Sequence, residues 1–409
     1  MENSTVRAVN RLTGRWAAVV RPGAQGTVFT AAGVWPLLAL LADGAGGPAR
    51  EELAAALGIP AGDAAGAARA LLEGLGPVRG LETATGLWTR AGLPLEEAWT
   101  SRLPDGARGS LTGDPDVDRP VLDGWAAERT GGLIEHMPVP VGPEVLMVLA
   151  SALALRVTWS RPFDDFPAAP DQGPWAGRTS FGLHRRTSRL DRARVTRSAG
   201  GPVTLLEVEG SAGIDVHLLL GGPDAAPGEV LGAGIAAVTG AAPAEGAGTL
   251  PEGTPGPGLE VRTVESVSSE PSLHIKTVAF ALRAEHDLLA HAELFGLATA
   301  SDDTFGHFPG ISSDPLAVGA ARQSAMARFH AKGFEAAAVT AVSMRAGGGA
   351  PRTLHRVRHA TVSFLRPFGF LALHRPSRLV LAAGWVNEPL PYEAPDRGPR
   401  ARPGGLLHG

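Results

Sequence analysis

Residues 331–343 read Ala-Lys-Gly-Phe-Glu-Ala-Ala-Ala-Val-Thr-Ala-Val-Ser, and a glycine-rich stretch at 344–352 follows them. Alone, the alanine run predicts an ordinary helix that ends at a glycine, because alanine has the highest helix propensity. Val339, Thr340 and Val342, which follow the run, instead fit a pleated strand. The rest of the chain decides between these two interpretations.

Further blocks accompany this stretch in a fixed order along the chain. They are 123–134 (Asp-Gly-Trp-Ala-Ala-Glu-Arg-Thr-Gly-Gly-Leu-Ile), 151–163 (ending in Trp-Ser-Arg-Pro-Phe), 367–368 (Pro-Phe) and 384–389 (Gly-Trp-Val-Asn-Glu-Pro). With the hinge-like Gly-x-Glu-Ala-Ala-Ala that begins at Gly333, these blocks resemble the serpin superfamily over almost the whole chain. The resemblance implies an α+β serpin fold, with helices plus three β-sheets and an exposed reactive-centre loop.

Hydrophobic periodicity independently favours an α+β class. Apolar residues at three- and four-residue spacing predict helices at 7–20, 34–41, 50–57 and 64–75. The continuous apolar run at 145–150 predicts a covered central strand, and alternation at 203–209 and 214–220 predicts an antiparallel pair joined around 210–213. One helix is expected between loose connections within 222–257. We expect a single domain over 4–390 and a disordered Pro/Arg/Gly-rich tail at 391–409.

The resemblance also implies a mechanism and the residues that serve it. Inhibitory serpins are suicide substrates: a serine protease cleaves the loop, and the part before the cut inserts as a new strand of a sheet. By the family's pattern, the sequence supplies a hinge, a breach tryptophan and a shutter. The hinge is Gly333, Phe334, Glu335, Ala336, Ala337, Ala338 and Val339; the breach residue is Trp159; the shutter is Thr30, Gly33, Ser151 and Gln323.

The position of the cleaved bond stays open between two alternatives. Counting forward from Gly333 by the family's spacing gives Gly347–Gly348, which suits an elastase-like protease with a small pocket. Counting back from the strand near Phe364 gives Arg356–Val357, which suits a trypsin-like protease. Cleavage at the second bond leaves a longer arm, and its slack favours substrate behaviour over inhibition.

Several residues depart from the family's pattern. Phe334 stands where inhibitory members carry a small residue, and a phenyl ring there predicts overpacking of roughly 1–3 kcal/mol during insertion. Ala331 replaces an acidic residue. The shutter has Thr30 to Gly33, Ser151 and Gln323 in place of Ser-Pro-x-Ser, Asn and His, a set that can rebuild a hydrogen-bond network. These departures keep a second hypothesis open: a non-inhibitory scaffold that binds a small hydrophobic ligand or a protein partner, or serves a biosynthetic pathway.

Composition narrows the remaining function classes. A net charge of −4 offers no basic field for nucleic acid, and cysteine is absent. The N-terminus lacks the apolar core of a signal peptide and no stretch is long enough to span a bilayer, so we expect a cytoplasmic monomer without membrane contact. Lys276 and Lys332 are the only lysines among many arginines, a bias typical of a GC-rich bacterial genome.

No motif predicts an enzyme, a cofactor or a metal. Gly210-Ser-Ala-Gly213 falls in a predicted hairpin and lacks the nucleophile elbow of hydrolases. His286 and His291 are five residues apart at an expected helix start, whereas zinc-binding histidines on a helix are four apart. We therefore expect no catalytic residue, no cofactor and no metal.

Overall fold

The computed structural model describes residues 2–103, 108–137, 139–334 and 354–392. Its α-helices are α1 (Asn3–Val19), α2 (Ala31–Gly44), α3 (Gly47–Leu57), α4 (Ala61–Leu75), α5 (Glu97–Thr100), α6 (Pro115–Arg129), α7 (Pro227–Thr239) and α8 (Ala292–Phe295). Its strands are β1 (Gly26–Phe29), β2 (Leu81–Arg90), β3 (Arg108–Leu111), β4 (Met147–Leu155), β5 (Val157–Thr158), β6 (Asp164–Ala168), β7 (Ser180–Thr187), β8 (Ala193–Ser198), β9 (Gly201–Val208), β10 (Ile214–Leu220), β11 (Glu245–Gly246), β12 (Gly253–Gly256), β13 (Leu259–Ser266), β14 (Ser272–Val278), β15 (Phe280–Asp287), β16 (Arg322–Phe329), β17 (Gly333–Phe334), β18 (His355–Ser363), β19 (Phe368–His374) and β20 (Leu379–Val386).

The four helices predicted at the start of the chain are confirmed as α1 to α4, and the helix predicted within 222–257 is α7. α1 buries one apolar face, with Val9, Leu12 and Trp16 inside the core. α3 ends at Gly58, whose φ of 70° is the left-handed conformation that glycine adopts without strain. The predicted pair at 203–209 and 214–220 is confirmed as β9 and β10, which run antiparallel.

The strands form four hydrogen-bonded sheets, where the sequence predicted three. The seven-stranded sheet has the order β1-β20-β19-β10-β9-β8-β11, and the six-stranded sheet has β12-β13-β18-β14-β7-β6. The other two are β15-β16-β17-β5 and β3-β2-β4. β4 and β5 are separated by Arg156 alone, so these two sheets are the halves of one interrupted layer. Among the described residues, no ladder joins β4 to β16.

Aromatic rings pack the junction between the β15–β16 pair and the seven-stranded sheet. Phe280 stacks on Phe329 with ring centroids 5.3 Å apart, and it also contacts Phe370 at 5.1 Å. Trp159 contacts the same Phe329 at 4.9 Å. Such pairs contribute about 0.5–1.5 kcal/mol each beyond the area they bury. They make the Phe329 end of β16 a fixed point of the fold.

His286 does not lie at a helix start, as the sequence predicted, but in strand β15. The alternating residues around it pair with β16, and its Nε2 lies 2.9 Å from the Val28 carbonyl oxygen.

The last described residues of the chain still contact the sheet. Pro391 forms a β-bridge with Ser180, and the Tyr392 N–H donates to the Thr179 carbonyl. Residues from 393 onward lie outside the described part.

None of the described helices has the length and apolar character needed to cross a lipid bilayer. In the same residues, histidines and carboxylates do not gather in groups of three or more that could hold a metal ion.

His217 is an unusual polar residue of the core. It lies in β10 between β9 and β19, is 1% exposed, and neither ring nitrogen has a hydrogen-bond partner among the described residues. Burial, reinforced by the nearby Arg194 charge, lowers the pKa of His217 from 6.5 to about 3. The folded protein therefore holds the neutral ring over a pH range in which the unfolded chain takes up a proton.

We predict that this histidine makes the protein acid-sensitive. Because the folded-state pKa of His217 is lowered, protonation of this histidine in the unfolded chain lowers the free energy of unfolding. The loss is absent above pH 6.5 and grows by about 1.4 kcal/mol per pH unit below it, to about 2 kcal/mol at pH 5. In urea unfolding between pH 7.5 and 5, His217→Leu should lose much less stability than the wild type. His291→Gln, at an exposed histidine, is the control and should follow the wild type. If the free energy of unfolding changed equally with pH in all three proteins, the assignment of the acid sensitivity to His217 would be contradicted.

Candidate functional site

The first two hinge residues form the short strand β17. Phe334 pairs with Phe329 of β16 on one side and with Val157 of β5 on the other, and Gly333 pairs with Thr158. The backbone is thus already a strand between two others at this end of the layer. The remaining hinge residues, Glu335, Ala336, Ala337, Ala338 and Val339, lie outside the described residues, and so does the side chain of Phe334.

Gly333 is where β17 approaches β5 most closely. An ideal Cβ placed on it would lie 2.3 Å from the Val157 carbonyl oxygen and 3.2 Å from the Thr158 Cα. Contacts below 3 Å to backbone atoms require the backbone to move, because backbone cannot rotate away as a side chain can. The close pairing of β17 with β5 therefore depends on glycine at position 333.

Trp159 holds the segment that leads into β17. Its indole Nε1–H donates to the His330 carbonyl at 2.8 Å, and its backbone N–H donates to the Lys332 carbonyl at 3.0 Å. The Phe163 N–H donates to the Ala331 carbonyl at 2.7 Å. Backbone bonds thus anchor the position at which Ala331 replaces an acidic side chain. Trp159 is 3% exposed, so these bonds are shielded from water.

The connection between β9 and β10 supports β5 from its other side. The Ser211 N–H donates to the Thr158 carbonyl at 2.9 Å, and Gly210 bridges Trp159. Asp215 fixes this connection, since its carboxylate accepts from the Gly210 N–H at 3.2 Å and from Arg375 at 2.6 and 2.7 Å. A bidentate arginine–carboxylate pair fixes the orientation of the two side chains as well as their distance. The Gly210-Ser-Ala-Gly213 motif is therefore structural here, as the hairpin prediction indicated.

The structure brings three of the four shutter residues together, namely Thr30, Gly33 and Gln323. The Thr30 N–H donates to Gln323 Oε1 and the Gln323 amide donates back to the Thr30 carbonyl, both at 2.9 Å. Thr30 Oγ1 donates to the Leu381 carbonyl at 2.6 Å and accepts from the Gly33 N–H at 3.2 Å. Ser151 lies in β4 opposite Thr85, and its side chain is outside the described part. The network ties β16 to the start of α2 and to β20.

A cavity of about 830 Å³ lies between the beginning of β4 and the beginning of β16. Met147 and Val148 line it from β4, and Arg322 and Gln323 line it from β16. Its further lining residues include aliphatic side chains of α2, namely Val34, Leu37, Leu38 and Leu41. Glu144, Ser301, Asp303, Arg322 and Gln323 also line it, so the lining is mixed and its aliphatic part includes side chains of α2.

The two candidate cleavage sites have different surroundings. Gly347 and Gly348 lie outside the described residues. Arg356 and Val357 lie within β18, opposite Glu265 and Val264 of β13, and Val357 is 7% exposed. A protease binds its substrate as an extended segment with free backbone groups, so cleavage at Arg356–Val357 requires β18 to leave the sheet first.

Sequence reasoning did not find three parts of this region: the cavity, the Asp215–Arg375 support and strand β13. The alternation in Leu-Glu-Val-Arg-Thr-Val-Glu-Ser at 259–266 is a strand signal that could have revealed β13. The cavity has no local signal, because its lining residues come from distant elements.

We predict that Gly333→Ala separates β17 from β5. The added methyl group overlaps the Val157 carbonyl, so amide hydrogen exchange at 157–158 and 333–334 should become about tenfold faster. Gly222→Ala is the matched control, because nothing lies within 4 Å of an ideal Cβ at that glycine. Unchanged exchange in Gly333→Ala would show that β17 does not depend on this close approach.

Comparison with known proteins matches part of the chain to a family. Residues 17–171 match the family model described as "Serpin (serine protease inhibitor)". A putative serpin-Z8 of Oryza sativa subsp. japonica is 30% identical over 172 residues, which is 38% of this chain and 40% of the rice protein. The chain thus spans less than half of that relative's length in the match.

Solved structures resemble the fold over much more of the chain. A thermophilic serpin, tengpin, in the native state has a TM-score of 0.74 at 13% identity, covering 95% of both chains. A thyroxine-binding globulin in complex with thyroxine has a TM-score of 0.69 at 17% identity, covering 95% of this chain and 99% of that one. Residues 17–171 thus match the serpin family model, and the chain as a whole has the serpin fold.

Proposed function

We propose that this protein inhibits a serine protease as a suicide substrate. The observation that carries the proposal is the cleft between β4 and β16, which no ladder joins in the described residues, together with β17 at the Phe329 end of that cleft. The cavity of about 830 Å³ lies at the other end, beside Met147 and Arg322. A strand that continues from β17 enters this cleft. The chain from Glu335 onward is then the segment that fills it after a protease has cut downstream.

Insertion gains stability from two sources. The facing sides of β4 and β16 are not joined to each other by a ladder, so a new strand provides backbone partners for both. The cavity at the far end of the cleft is lined in part by aliphatic side chains of α2, so filling it also removes aliphatic surface from water. Inhibition requires insertion to finish before the protease hydrolyses the acyl-enzyme, so the outcome depends on the rate of insertion.

The register of β17 assigns faces to the positions that follow it. Phe334 pairs with Phe329 and Val157, which are both buried. Because side chains alternate along a strand, a continuation in this register places Ala336 and Ala338 on the face of position 334 and Ala337 on the opposite face. A large charged side chain at Ala338 would therefore enter the core on insertion, whereas one at Ala337 would not.

We place the cleaved bond at Gly347–Gly348 in preference to Arg356–Val357. The pairing of β18 with β13 and the burial of Val357 support this choice. A protease with a small specificity pocket, of the elastase type, suits the glycines. A trypsin-type enzyme has Arg345 and Arg352 in the same connecting segment.

The proposal predicts a covalent complex and a stability gain. Wild-type protein incubated with an elastase-like or a trypsin-like protease should give a complex stable on a denaturing gel, with the cut within 344–353 by mass analysis. Cut protein should unfold more than about 10 °C above intact protein. Ala338→Arg should be cleaved without forming the complex, because the buried guanidinium stops insertion. Ala337→Arg is the matched control and should still form it.

Clean cleavage of the wild type by both enzymes, with no complex and no gain in stability, would contradict the inhibitory proposal. A stability gain without a complex would show that insertion occurs too slowly to trap the enzyme.

The same cavity favours a second candidate function, the binding of a small apolar ligand. A cavity of about 830 Å³ with a partly aliphatic lining is within the size range of ligand pockets. One of the similar structures is a thyroxine-binding globulin in complex with thyroxine. For this chain, the site that we propose is the cleft between β4 and β16.

Binding of the uncharged fluorophore N-phenyl-1-naphthylamine is the measurement that tests this second function. Gly319 lines the cavity and has nothing within 4 Å of an ideal Cβ, so Gly319→Phe should fill the space and weaken binding at least about tenfold. Gly222→Phe, at an equally open glycine elsewhere, should bind as the wild type does. Equal binding by all three proteins would exclude the cleft as the site.

A further inference from the structure

The cavity between the beginnings of β4 and β16 has its charged lining residues at the surface. Glu144 comes from the segment before β4, Asp303 from the segment between α8 and β16, and Arg322 from the first position of β16. All three residues are exposed, whereas Leu38 and Phe308, which also line the cavity, are buried. The cavity therefore has an apolar interior and a charged rim, which consists of Glu144, Asp303 and Arg322.

The polar side chains deeper in the lining already have partners. Gln323 is buried, and its amide exchanges two hydrogen bonds with the Thr30 backbone, both at 2.9 Å. The Ser301 hydroxyl donates to the Ala298 carbonyl at 3.1 Å. The interior therefore favours the apolar part of a ligand and leaves the ligand's polar group to the rim.

The charges of the rim are unequally compensated. Arg322, the only cation among the described lining residues, forms an ion pair with Asp287 at 3.6 Å. Within the part of the chain that the structure describes, neither Glu144 nor Asp303 has an ion pair or a side-chain hydrogen bond. Arg90 contacts the segment that carries Glu144, but it donates to the backbone carbonyls of residues 142 and 143, at 3.0 and 2.6 Å. The rim thus presents two carboxylates without a counter-charge.

An aromatic ring accompanies these carboxylates. Phe305 lines the cavity two residues after Asp303, and at 67% it is the most exposed large hydrophobic residue of the described chain. The face of an aromatic ring attracts organic cations, as a carboxylate does. Both groups repel an anion, so the rim selects by charge.

We propose that this cavity binds a cationic amphiphile, which is an ammonium group on an aliphatic chain. The chain lies among the aliphatic side chains of α2, and the ammonium group lies at the rim near Glu144, Asp303 and Phe305. This inference rests on the proposed function, because it names the class of ligand for the second candidate function. A volume of about 830 Å³ is sufficient for such a ligand.

The charge preference is tested with decyltrimethylammonium and decanoate, which have similar chains and opposite charges. Each compound, below its micelle concentration, is titrated into wild-type protein that carries N-phenyl-1-naphthylamine. The ammonium compound should displace the fluorophore at a concentration at least about tenfold lower than decanoate does. This advantage should shrink in about 1 M salt, because salt screens exposed charges. Equal displacement by the two compounds would contradict the proposed class of ligand.

Charge reversal at the rim should reverse the preference. Asp303→Lys should bind decanoate more tightly than the ammonium compound. Asp314→Lys is the matched control: Asp314 is also exposed and lies in the same connection between α8 and β16, but it does not line the cavity. This control should keep the preference of the wild type. If Asp303→Lys also kept it, recognition by the rim would be overturned.

Direct calorimetric titration of decyltrimethylammonium separates this inference from the proposed function. If the fluorophore binds in the cavity but the ammonium compound has no advantage over decanoate, the class of ligand is wrong and the second candidate function stands. If the fluorophore does not bind, heat of ammonium binding that Gly319→Phe abolishes supports the inference. Absence of both signals overturns the inference and the second candidate function together. The covalent complex with a protease tests the inhibitory function independently of all these results.

Discussion

The organisation of this protein depends on the separation of β4 from β16. A sheet gains stability when neighbouring strands satisfy each other's backbone groups, and within the described residues no ladder joins these two strands. The two residues of β17 pair with β16 and β5 at the Phe329 end of the layer, and the cavity lies at the opposite end. Facing backbone groups of β4 and β16 can therefore gain partners from a further strand, which is the physical requirement for a later gain in stability.

The separation persists because each side of the cleft is fixed to a different part of the core. Gln323 ties β16 to Thr30 and through it to Leu381 of β20, while Phe329 packs against Phe280 and Trp159. On the other side, Ser211 and the Asp215–Arg375 pair hold β5. Closing the cleft would break several buried hydrogen bonds at about 1–3 kcal/mol for each group left without a partner.

The sequence predicted those parts of the fold that depend on patterns among neighbouring residues. Periodic apolar residues located α1 to α4 and α7, and alternation located β9 and β10. Gly333 and Trp159 were recognised from a resemblance, and the structure adds their physical roles, a close backbone approach and a set of bonds to 330–332. The cavity, the partners of Gln323 and the pairing of β13 with β18 depend on contacts between residues far apart in sequence, so periodicity cannot supply them. Local sequence signals can also predict the wrong element. At His286, short-range charge and spacing suggested a helix, whereas long-range pairing with β16 makes a strand.

The connecting segment is governed by its two ends. One end, β17, is already a strand at the mouth of the cleft, so each residue that follows it can extend an existing ladder without a new nucleation step. The other end, β18, is held by β13 through eight paired residues and by the bonds of Arg358. The two ends of the segment are therefore fixed in two different sheets. Under the proposed function, a cut between them frees the first end to extend its ladder while the second end stays in place.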